Sequence, residues 1–430
     1  MKILECGAAD FEAEFSAILK RAEADNESIE PKVRAIIDDT KKRGAAALLE
    51  QIAQFDRWNP KSFDEIVIER DEIEMAWRKT PPHLRDALTL SRDRIRAFHE
   101  RQKPHSWLEM TEAGWLGQKV TPVDRAGIYV PGGKAAYPST LLMNAVPAAV
   151  AGVGEIIVCS PAIGGNSNPL TLAAAHLCDV SRIFKIGGAG AIAAMAFGVG
   201  GDRGIPKVDV ITGPGNIFVA IAKKLVFGAA QIDMIAGPSE VCVIADSAAD
   251  AGRLAVDLLS QAEHDEMASA ILITTDRDLA RRVLAEIENV LKTLDREAIA
   301  RVSIDTRGAA IVARNLDEAA DLANMIAPEH LEILTANPRD LLEKIRHAGA
   351  IFLGEYSPEA VGDYAAGPNH TLPTGGTARF FSPLGTENFM KKSSVIAMNK
   401  NGFDQVAKAT FLLAEAEGLT AHALSVKKRM

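Results

Sequence analysis

The spacing of hydrophobic and polar residues divides the chain into two parts. From residue 8 to about residue 105, apolar residues recur every three or four positions among charged ones, as in residues 88–101. This spacing predicts amphipathic helices, with one strand over residues 66–68. From Gly127 onward, short β-rich runs are each followed by a glycine- or proline-containing turn and an alanine-rich segment. That alternation predicts βαβ units and parallel sheets.

The predicted strands form two series. The first covers residues 128–130, 155–159, 182–186 and 208–211, and the second covers 240–245, 270–274, 309–312, 331–334 and 350–353. We therefore predict an α/β fold with two doubly wound, Rossmann-like parallel sheets and helical N- and C-terminal extensions. The predicted units are an N-terminal extension (1–26), a first α/β domain with most of the metal and catalytic residues (27–128 with 239–384), a second α/β domain on the cofactor side (129–238) and a C-terminal helical tail (385–430).

Composition narrows the class of protein. The chain has 430 residues, of which 47% are apolar and 24% charged, as in ordinary globular proteins. Its net charge of -9 argues against nucleic acid as a ligand, because phosphate backbones are bound by an excess of Lys and Arg. Acidic residues interrupt the start of the chain, and proline, glycine and glutamate interrupt the apolar stretch 144–159. We therefore expect neither a secretory signal nor a membrane span, and predict a cytoplasmic protein with a small-molecule substrate.

The four cysteines show no metal-binding or disulfide spacing. They are predicted to be small buried hydrophobic residues, so any metal would be held by other ligands.

Glu329 and His330 are adjacent at a predicted junction between a helix and a strand. Side chains that project from such an edge are often catalytic, and a carboxylate beside an imidazole is suited to acid–base chemistry. A solvated loop is the competing interpretation, and the pair considered alone favours it.

Three further segments carry polar side chains suited to a metal ion. One ends a predicted helix, where an amide oxygen and an imidazole nitrogen three residues apart can converge. The second is a glycine- and proline-rich predicted loop over residues 361–371, and the third lies near the C-terminus. Mixed nitrogen and oxygen donors without thiolates favour zinc or a similar ion over calcium. The candidates, by segment, are Gln261 and His264, then Asp363 and His370, then Glu417 and His422.

Glycine-rich turns follow three strands of the first series and favour a dinucleotide cofactor. Residues 188–193 have the pattern Gly-x-Gly-x-x-Ala, residues 213–216 are Gly-Pro-Gly-Asn, and residues 129–134 are Tyr-Val-Pro-Gly-Gly-Lys. Loops at the carboxyl ends of neighbouring strands are where an open α/β sheet binds its ligand. Close packing of helix on strand without any ligand explains the turn at 187–193 equally well.

Together these segments resemble the histidinol dehydrogenase family. The resemblance extends in the same order over nearly the whole chain, and includes Asp-Met-Ile-Ala-Gly-Pro-Ser-Glu at 233–240, Gln-Ala-Glu-His-Asp at 261–265, Gly-Pro-Asn-His-Thr-Leu-Pro-Thr at 367–374 and Glu-Gly-Leu-Thr-Ala-His at 417–422. It implies a homodimeric enzyme that uses zinc and two NAD⁺ to oxidise L-histidinol to L-histidine through L-histidinaldehyde, the last step of histidine biosynthesis.

The resemblance also implies roles for individual residues. The acid–base pair would be Glu329 and His330. The C-terminal tail would reach the partner subunit and contribute Glu417 and His422 to its site. The implied zinc ligands, which also contact substrate, are Gln261, His264, Asp363 and His422; the further substrate contacts are Ser239, His330, His370 and Glu417; and the cofactor contacts are Tyr129, Gly190 and Asn216.

One position departs from the family's pattern. Where the family has Gly-Gly-Ala-Gln-Ala, residues 187–191 are Gly-Gly-Ala-Gly-Ala, so the glutamine expected to contact NAD is replaced by Gly190. A side-chain donor and acceptor is lost, although the bare backbone can approach a dinucleotide more closely. We therefore expect weakened NAD binding at this position.

Two other functions compete with this one. The first is a paralogous zinc- and NAD-dependent dehydrogenase of another small polar alcohol, such as a hydroxysulfonate. Glu417 favours histidinol over a hydroxysulfonate as substrate, because a carboxylate attracts a cationic amine and repels an anionic sulfonate. The second is a nucleotide-binding module without catalysis, which the presence of Glu329, His330 and the metal-suited set disfavours.

Overall fold

Three β-sheets are present in the computed structural model, which describes residues 1–20, 28–132 and 137–430. In chain order the strands are β1 (Lys2–Glu5), β2 (Val67–Ile68), β3 (Trp107–Thr111), β4 (Gly114–Pro122), β5 (Arg125–Tyr129), β6 (Glu155–Ser160), β7 (Arg182–Lys185), β8 (Val210–Thr212), β9 (Gln231–Ile232), β10 (Glu240–Ala245), β11 (Ser269–Thr274), β12 (Ala309–Val312), β13 (His330–Leu334), β14 (Ala350–Leu353) and β15 (Met390–Met398). The first sheet is parallel, with the order β1-β12-β11-β10-β13-β14. The second has the order β2-β7-β6-β5-β8-β9 and is parallel except for β2. The third is antiparallel, with the order β15-β4-β3. The predicted α/β fold with two parallel sheets is confirmed.

Helices connect the strands and cover the sheets. They are α1 (Phe11–Leu19), α2 (Glu30–Arg43), α3 (Ala45–Phe55), α4 (Arg70–Lys79), α5 (Pro82–Gln102), α6 (Pro138–Ala151), α7 (Pro169–Leu177), α8 (Gly188–Phe197), α9 (Ile217–Val226), α10 (Ala251–Ala262), α11 (Arg277–Leu291), α12 (Glu297–Arg307), α13 (Leu316–Ile326), α14 (Arg339–Leu342), α15 (Glu359–Tyr364), α16 (Lys400–Ala416) and α17 (Thr420–Lys427). Among the described residues, no helix is both long enough and apolar enough to cross a membrane.

Strand β10 shows why the first sheet has helices on both faces. All its residues are buried. Val241 and Val243 belong to an apolar cluster with α10 and α11, whereas Cys242 and Ile244 belong to a second cluster with α13. Because neighbouring residues of a strand point to opposite faces, such a continuous buried run requires a helical layer on each side.

The helices before residue 103 pack largely on the second sheet. Leu48 and Ile52 of α3 lie in one cluster with α8, and Ile95 of α5 lies in the cluster on the opposite face with α6. These helices therefore share apolar clusters with the second sheet, and the predicted domain grouping of residues 27–128 with 239–384 stays a prediction. Both sheets are covered by helices with the same local apolar spacing, so this spacing does not specify which sheet a helix covers.

The terminal regions each contain a strand as well as helices. Strand β1 pairs in parallel with β12, and β15 pairs with β4 before α16 begins. The extensions predicted to be helical thus also contain these strands. Local spacing does not reveal them, because edge pairing depends on a partner far away in sequence. The predicted boundary between residues 26 and 27 lies outside the described residues, as do Gly133 and Lys134 of the first glycine-rich turn.

The cysteines agree with their predicted role. Cys159, Cys178 and Cys242 are buried, Cys6 is half-buried, and all four are free thiols.

Candidate active site

Glu329 and His330 lie at the amino end of β13, as their sequence context predicts. Helix α13 ends at Ile326, and the left-handed backbone of the next residue, Ala327 (φ 48°), turns the chain into the strand. Both side chains are buried, with 6% of Glu329 and 3% of His330 exposed. The Glu329 carboxylate accepts a hydrogen bond from the backbone N–H of Glu240 (2.9 Å to Oε2). Burial excludes the solvated-loop interpretation and leaves two protic groups held in a dry setting.

The hydrogen bonds of His330 determine which ring nitrogen is free to react. Its Nδ1 lies 3.1 Å from the carbonyl oxygen of Glu240. A carbonyl can only accept, so Nδ1 carries a proton and donates it to this bond. Its Nε2 is buried and has no hydrogen-bond partner among the described residues, with Asp363 Oδ1 the facing carboxylate atom at 3.7 Å. The neutral ring therefore presents a lone pair at Nε2.

A group of metal-suited side chains lies beside this nitrogen. One donor atom each from His264, Glu359 and Asp363 lie within 4.8 Å of one another. Glu359 and Asp363 share a face of α15, because residues four apart on a helix are neighbours. Residues 359–364 are thus helical, which corrects the loop predicted to begin at residue 361. Glu359 was not among the predicted site residues, although its spacing of four residues from Asp363 places both on one face of a helix.

The amide of Gln261 joins this group through Glu359. Gln261 is buried at the end of α10, and with its amide nitrogen toward Glu359 it donates to Oε1 (2.7 Å) and Oε2 (3.2 Å). Its oxygen, turned away from this carboxylate, is then free to act as a donor to a metal ion. His264 lies beyond the end of α10, in a turn closed by a hydrogen bond from its backbone N–H to the Gln261 carbonyl (3.2 Å). The predicted placement of both residues on one helix face is therefore wrong for His264.

Burial and neighbouring charges shift the titration of the whole group. Burial raises the pKa of Glu329 to about 8 and the pKa of Glu359 well above its usual range. For His330, burial opposes the charged form, but the carboxylates of Glu359 and Glu329 outweigh it and raise the pKa. For Asp363, burial is outweighed by the facing ring of His330 and by the imidazoles of His370 and His264, which lower the pKa. The group therefore has excess acidic character and is suited to cationic ligands.

The pKa values of two other histidines at the site, His264 and His370, are lowered, which favours the uncharged imidazole. Desolvation by the surrounding protein is the largest cause for each ring, although His264 as a whole residue is exposed. The Nδ1 of His370 lies 3.0 Å from the carbonyl oxygen of Asp363, so this nitrogen is the donor and Nε2 is left free. Neutral imidazole is the form that binds metal ions.

The loop that carries His370 spans the two parallel sheets. The side chain of Asn369 donates to the carbonyl of Met143 in α6 (2.5 Å), and Asn144 of α6 donates to Thr371 (3.3 Å). Ser239, the remaining predicted substrate contact, is half-buried at the amino end of β10. The candidate site thus lies at the amino edge of the first sheet, where α6 of the second sheet closes against it.

Glu417 and His422 are placed differently from the other predicted site residues. Both are exposed, Glu417 at the end of α16 and His422 in α17. His422 is a described residue, but it is not part of the group formed by His264, Glu359 and Asp363.

The predicted cofactor residues lie at the carboxyl edge of the second sheet. Tyr129 is buried, its hydroxyl accepts from the backbone N–H of Gly188 (3.1 Å), and burial raises its pKa to about 12. Asn216 caps α9 by accepting from the N–H groups of Phe218 and Val219 (3.1 and 3.3 Å). Gly188 has a positive φ of 65° and open space around it.

Gly190, in contrast, is buried inside α8. A Cβ at this position would lie 1.9 Å from the side-chain oxygen of Gln51. Its backbone is therefore covered by α3, which differs from the expected free approach of a dinucleotide.

A buried ion pair holds the glycine-rich turn before α9. The ammonium of Lys223 pairs with Asp233 and donates to the carbonyl of Gly213 (3.0 Å), while Asp233 accepts from the N–H of Gly213 (2.8 Å). Gly213 has a φ of 117°, and a Cβ there would lie 2.1 Å from the carbonyl oxygen of Tyr129. The ion pair thus engages both backbone polar groups of Gly213, in a turn that lies closely against the end of β5.

These features define the class of protein as an α/β enzyme with a metal-suited acid–base site between two parallel sheets. A family model described as histidinol dehydrogenase matches residues 19–430. The chain is 56% identical to the histidinol dehydrogenase of Sulfurimonas denitrificans over 98% of both chains, and 54% identical to that of Wolinella succinogenes over 100% of this chain and 99% of the relative. The crystal structure of histidinol dehydrogenase from Elizabethkingia anophelis matches with a TM-score of 0.93 and 36% identity, covering 100% of this chain and 98% of that one. The chain belongs to the histidinol dehydrogenase family, which confirms the resemblance found in its sequence.

Proposed function

We propose that the protein oxidises L-histidinol to L-histidine through L-histidinaldehyde, with one zinc ion per subunit and two NAD⁺ per turnover. Family membership supports the substrate. The structural observation that carries the proposal is the unpartnered Nε2 of His330, buried beside the donor group of His264, Glu359 and Asp363. A base and a metal-suited group at one buried edge are what the oxidation of an amino alcohol requires.

The donor chemistry fits a divalent ion of the zinc type. Gln261 offers an amide oxygen, His264 a neutral imidazole and Asp363 a carboxylate whose pKa lies below its usual range. These residues would hold the ion, with His422 of the partner subunit as the remaining ligand. When bound, zinc fixes the amine and imidazole of histidinol, and NAD⁺ takes up the hydride that leaves the carbinol carbon.

In the first oxidation, His330 acts as the base. Its Nε2 takes the hydroxyl proton of histidinol as hydride leaves the carbon that bears this hydroxyl for NAD⁺. The hydrogen bond from Nδ1 to the Glu240 carbonyl keeps the ring oriented. The surrounding carboxylates raise the pKa of His330 in the empty site. Bound cationic ligands lower the pKa of His330 and so favour the neutral ring, which can accept a proton.

In the second oxidation, Glu329 acts as the base for water. Attack of water on the aldehyde, with one water proton passing to the Glu329 carboxylate, gives the anion of the hydrate. Loss of a second hydride from this anion to the second NAD⁺ then yields the carboxylic acid. The pKa of about 8 places the ionisation of Glu329 near neutral pH, where it can both accept and release a proton.

A homodimer would complete the site. We infer that Glu417 and His422 serve the partner's site, because both are exposed and His422 is absent from the described donor group of its own chain. Large exposed apolar side chains on β3, β4 and α16 support an interface, since exposed apolar surface of this kind marks contact sites. Those exposed on β3, β4 and α16 are Trp107, Leu108, Met110, Trp115, Leu116, Leu412 and Leu413.

The acidic site also favours histidinol over an anionic alcohol. Glu417 and the buried carboxylates would attract the ammonium of histidinol and repel a sulfonate. The cytoplasmic location expected from the sequence stays a prediction.

A direct assay tests the proposed function. Purified protein supplied with L-histidinol and excess NAD⁺ should form two NADH for each histidinol consumed. Activity should be lost with a chelator and restored by zinc. Absence of turnover with histidinol, under conditions in which the protein is folded and loaded with zinc, would refute the proposal.

A further inference from the structure

Space, and not backbone conformation, accounts for glycine at position 190. Gly190 lies inside α8 and has no positive φ, so residues other than glycine could adopt its backbone conformation. A Cβ there would lie 1.9 Å from Oε1 of Gln51, 3.0 Å from its Cδ and 3.4 Å from Cδ2 of Leu48. The first of these is far inside van der Waals contact, so the side-chain amide of Gln51 occupies the place where a side chain at 190 would begin.

Hydrogen bonds fix the orientation of the Gln51 amide. Its Nε2 donates to Oγ1 of Thr40 (3.2 Å), and the Thr40 hydroxyl donates to the carbonyl of Ile36 (2.8 Å). Because the Thr40 hydrogen is engaged, Thr40 is the acceptor for Gln51, and the Gln51 oxygen faces α8. No described residue donates to this oxygen, and Gln51 is only half-buried.

The Gln51 amide lies near the carboxyl edge of the second sheet, where the predicted cofactor residues are. Helix α3 is joined to the loop after β6 by a hydrogen bond from the N–H of Gly164 to the carbonyl of Asp56 (2.8 Å). Helix α8 follows β7, and its first residue, Gly188, donates to the hydroxyl of Tyr129 at the end of β5. Gln51 lies against α8 within its first turn, beside the turns to which the cofactor was assigned.

We propose that Gln51 supplies, from α3, the side-chain amide that the family pattern places at position 190, and that Gly190 leaves the space it needs. The amide oxygen would accept from a hydroxyl or carboxamide N–H of the dinucleotide. This inference rests on the proposed NAD-linked function. It replaces the expectation that the cofactor has lost an amide contact, and it means that Gly190→Gln alone restores nothing.

Three variants and one control test the pair. Gln51→Met keeps the length of the side chain and removes the amide, so NAD⁺ should bind roughly three- to tenfold more weakly, with the KM for histidinol and the melting temperature unchanged. Gly190→Gln should lower the melting temperature and weaken NAD⁺ binding, because its Cβ displaces Gln51. Combining Gln51→Ala with Gly190→Gln should restore both the melting temperature and the affinity for NAD⁺. Gln54→Met, an exposed change on the same helix, should alter neither.

Calorimetric titration with NAD⁺ and thermal unfolding are the measurements, because they require no turnover. A Gln51→Met variant that binds NAD⁺ as the parent does overturns the inference, as does a Gly190→Gln variant as stable as the parent. The unaltered protein is titrated first. If the unaltered protein binds no NAD⁺, the proposed function is refuted together with this inference. If the parent and Gln51→Met bind NAD⁺ equally well, only the role of Gln51 is refuted.

Discussion

Replacing Glu359 with glutamine should weaken zinc binding by about ten- to hundredfold, or about 1.4–2.7 kcal/mol. The carboxylate of Glu359 accepts two bonds from the Gln261 amide, at 2.7 and 3.2 Å, and lies within 4.8 Å of donor atoms of His264 and Asp363. A glutamine at 359 can still accept one bond from Gln261. The loss is therefore confined to one negative charge and one hydrogen bond, which is the scale of effect expected for a group that orients a metal ligand.

The same substitution should change how zinc affinity depends on pH. Burial raises the pKa of Glu359, so the metal-free protein retains this proton above the usual range for a glutamic acid. Zinc binding must release the proton, and the affinity of the parent protein therefore rises with pH. Glutamine has no proton to release, so the rise in the variant should be shallower by about one proton.

Competition with a chromophoric zinc chelator, at several pH values on both sides of neutrality, measures both effects. Glu355→Gln is the matched control, because Glu355 is an exposed residue nearby in the chain that pairs with Arg253. Equal zinc affinity and equal pH dependence in the parent and in Glu359→Gln would refute the role given to Glu359.

Three further predictions test other parts of the molecule. Glu329→Gln should slow oxidation of supplied histidinaldehyde more than oxidation of histidinol, as followed by NADH formation; equal losses in both steps would contradict the division of roles with His330. Lys223→Met should lower the free energy of unfolding in urea by about 3–5 kcal/mol, because it leaves Asp233 buried without its ion-pair partner; a loss below about 1 kcal/mol would show that the pair is dispensable. Burial raises the pKa of Asp56 to about 6, so the folded protein binds this proton more tightly than the unfolded chain and loses the associated stability as pH rises through about 6. Asp56→Asn, which cannot ionise, should therefore gain about 1 kcal/mol over the parent above this pH, after allowance for solvent screening, and nothing near pH 4; a gain in melting temperature that is the same at both pH values would be inconsistent with this cause.

Much of the fold follows from local pattern. The runs over residues 240–245 and 309–312 coincide with β10 and β12, because continuous buried β-rich segments between turns are a strong signal. Strand β1 and the antiparallel β15 were not predicted. Neither strand has a buried residue, and each is defined by pairing with a strand that is distant in sequence. A short stretch of sequence contains no information about such pairing.

The candidate site was only partly accessible from the sequence. The motif segments around Gln261, His330 and Asp363 were recognised because each has an unusual polar composition for its position. Glu359 was not, because its spacing of four residues from Asp363 has meaning only on a helix, and a loop was predicted from residue 361.

The sequence by itself determined the residue types of the chemistry, the alternation of strands and helices, and the family to which the chain belongs. Only the tertiary structure decided which of these residues meet. It brings Glu359 of α15 to Gln261 of α10, and it places Gln51 of α3 in the space left by Gly190 of α8. The physical reason is that helix and strand periodicity repeats over a few residues, whereas contacts between elements depend on how whole faces pack.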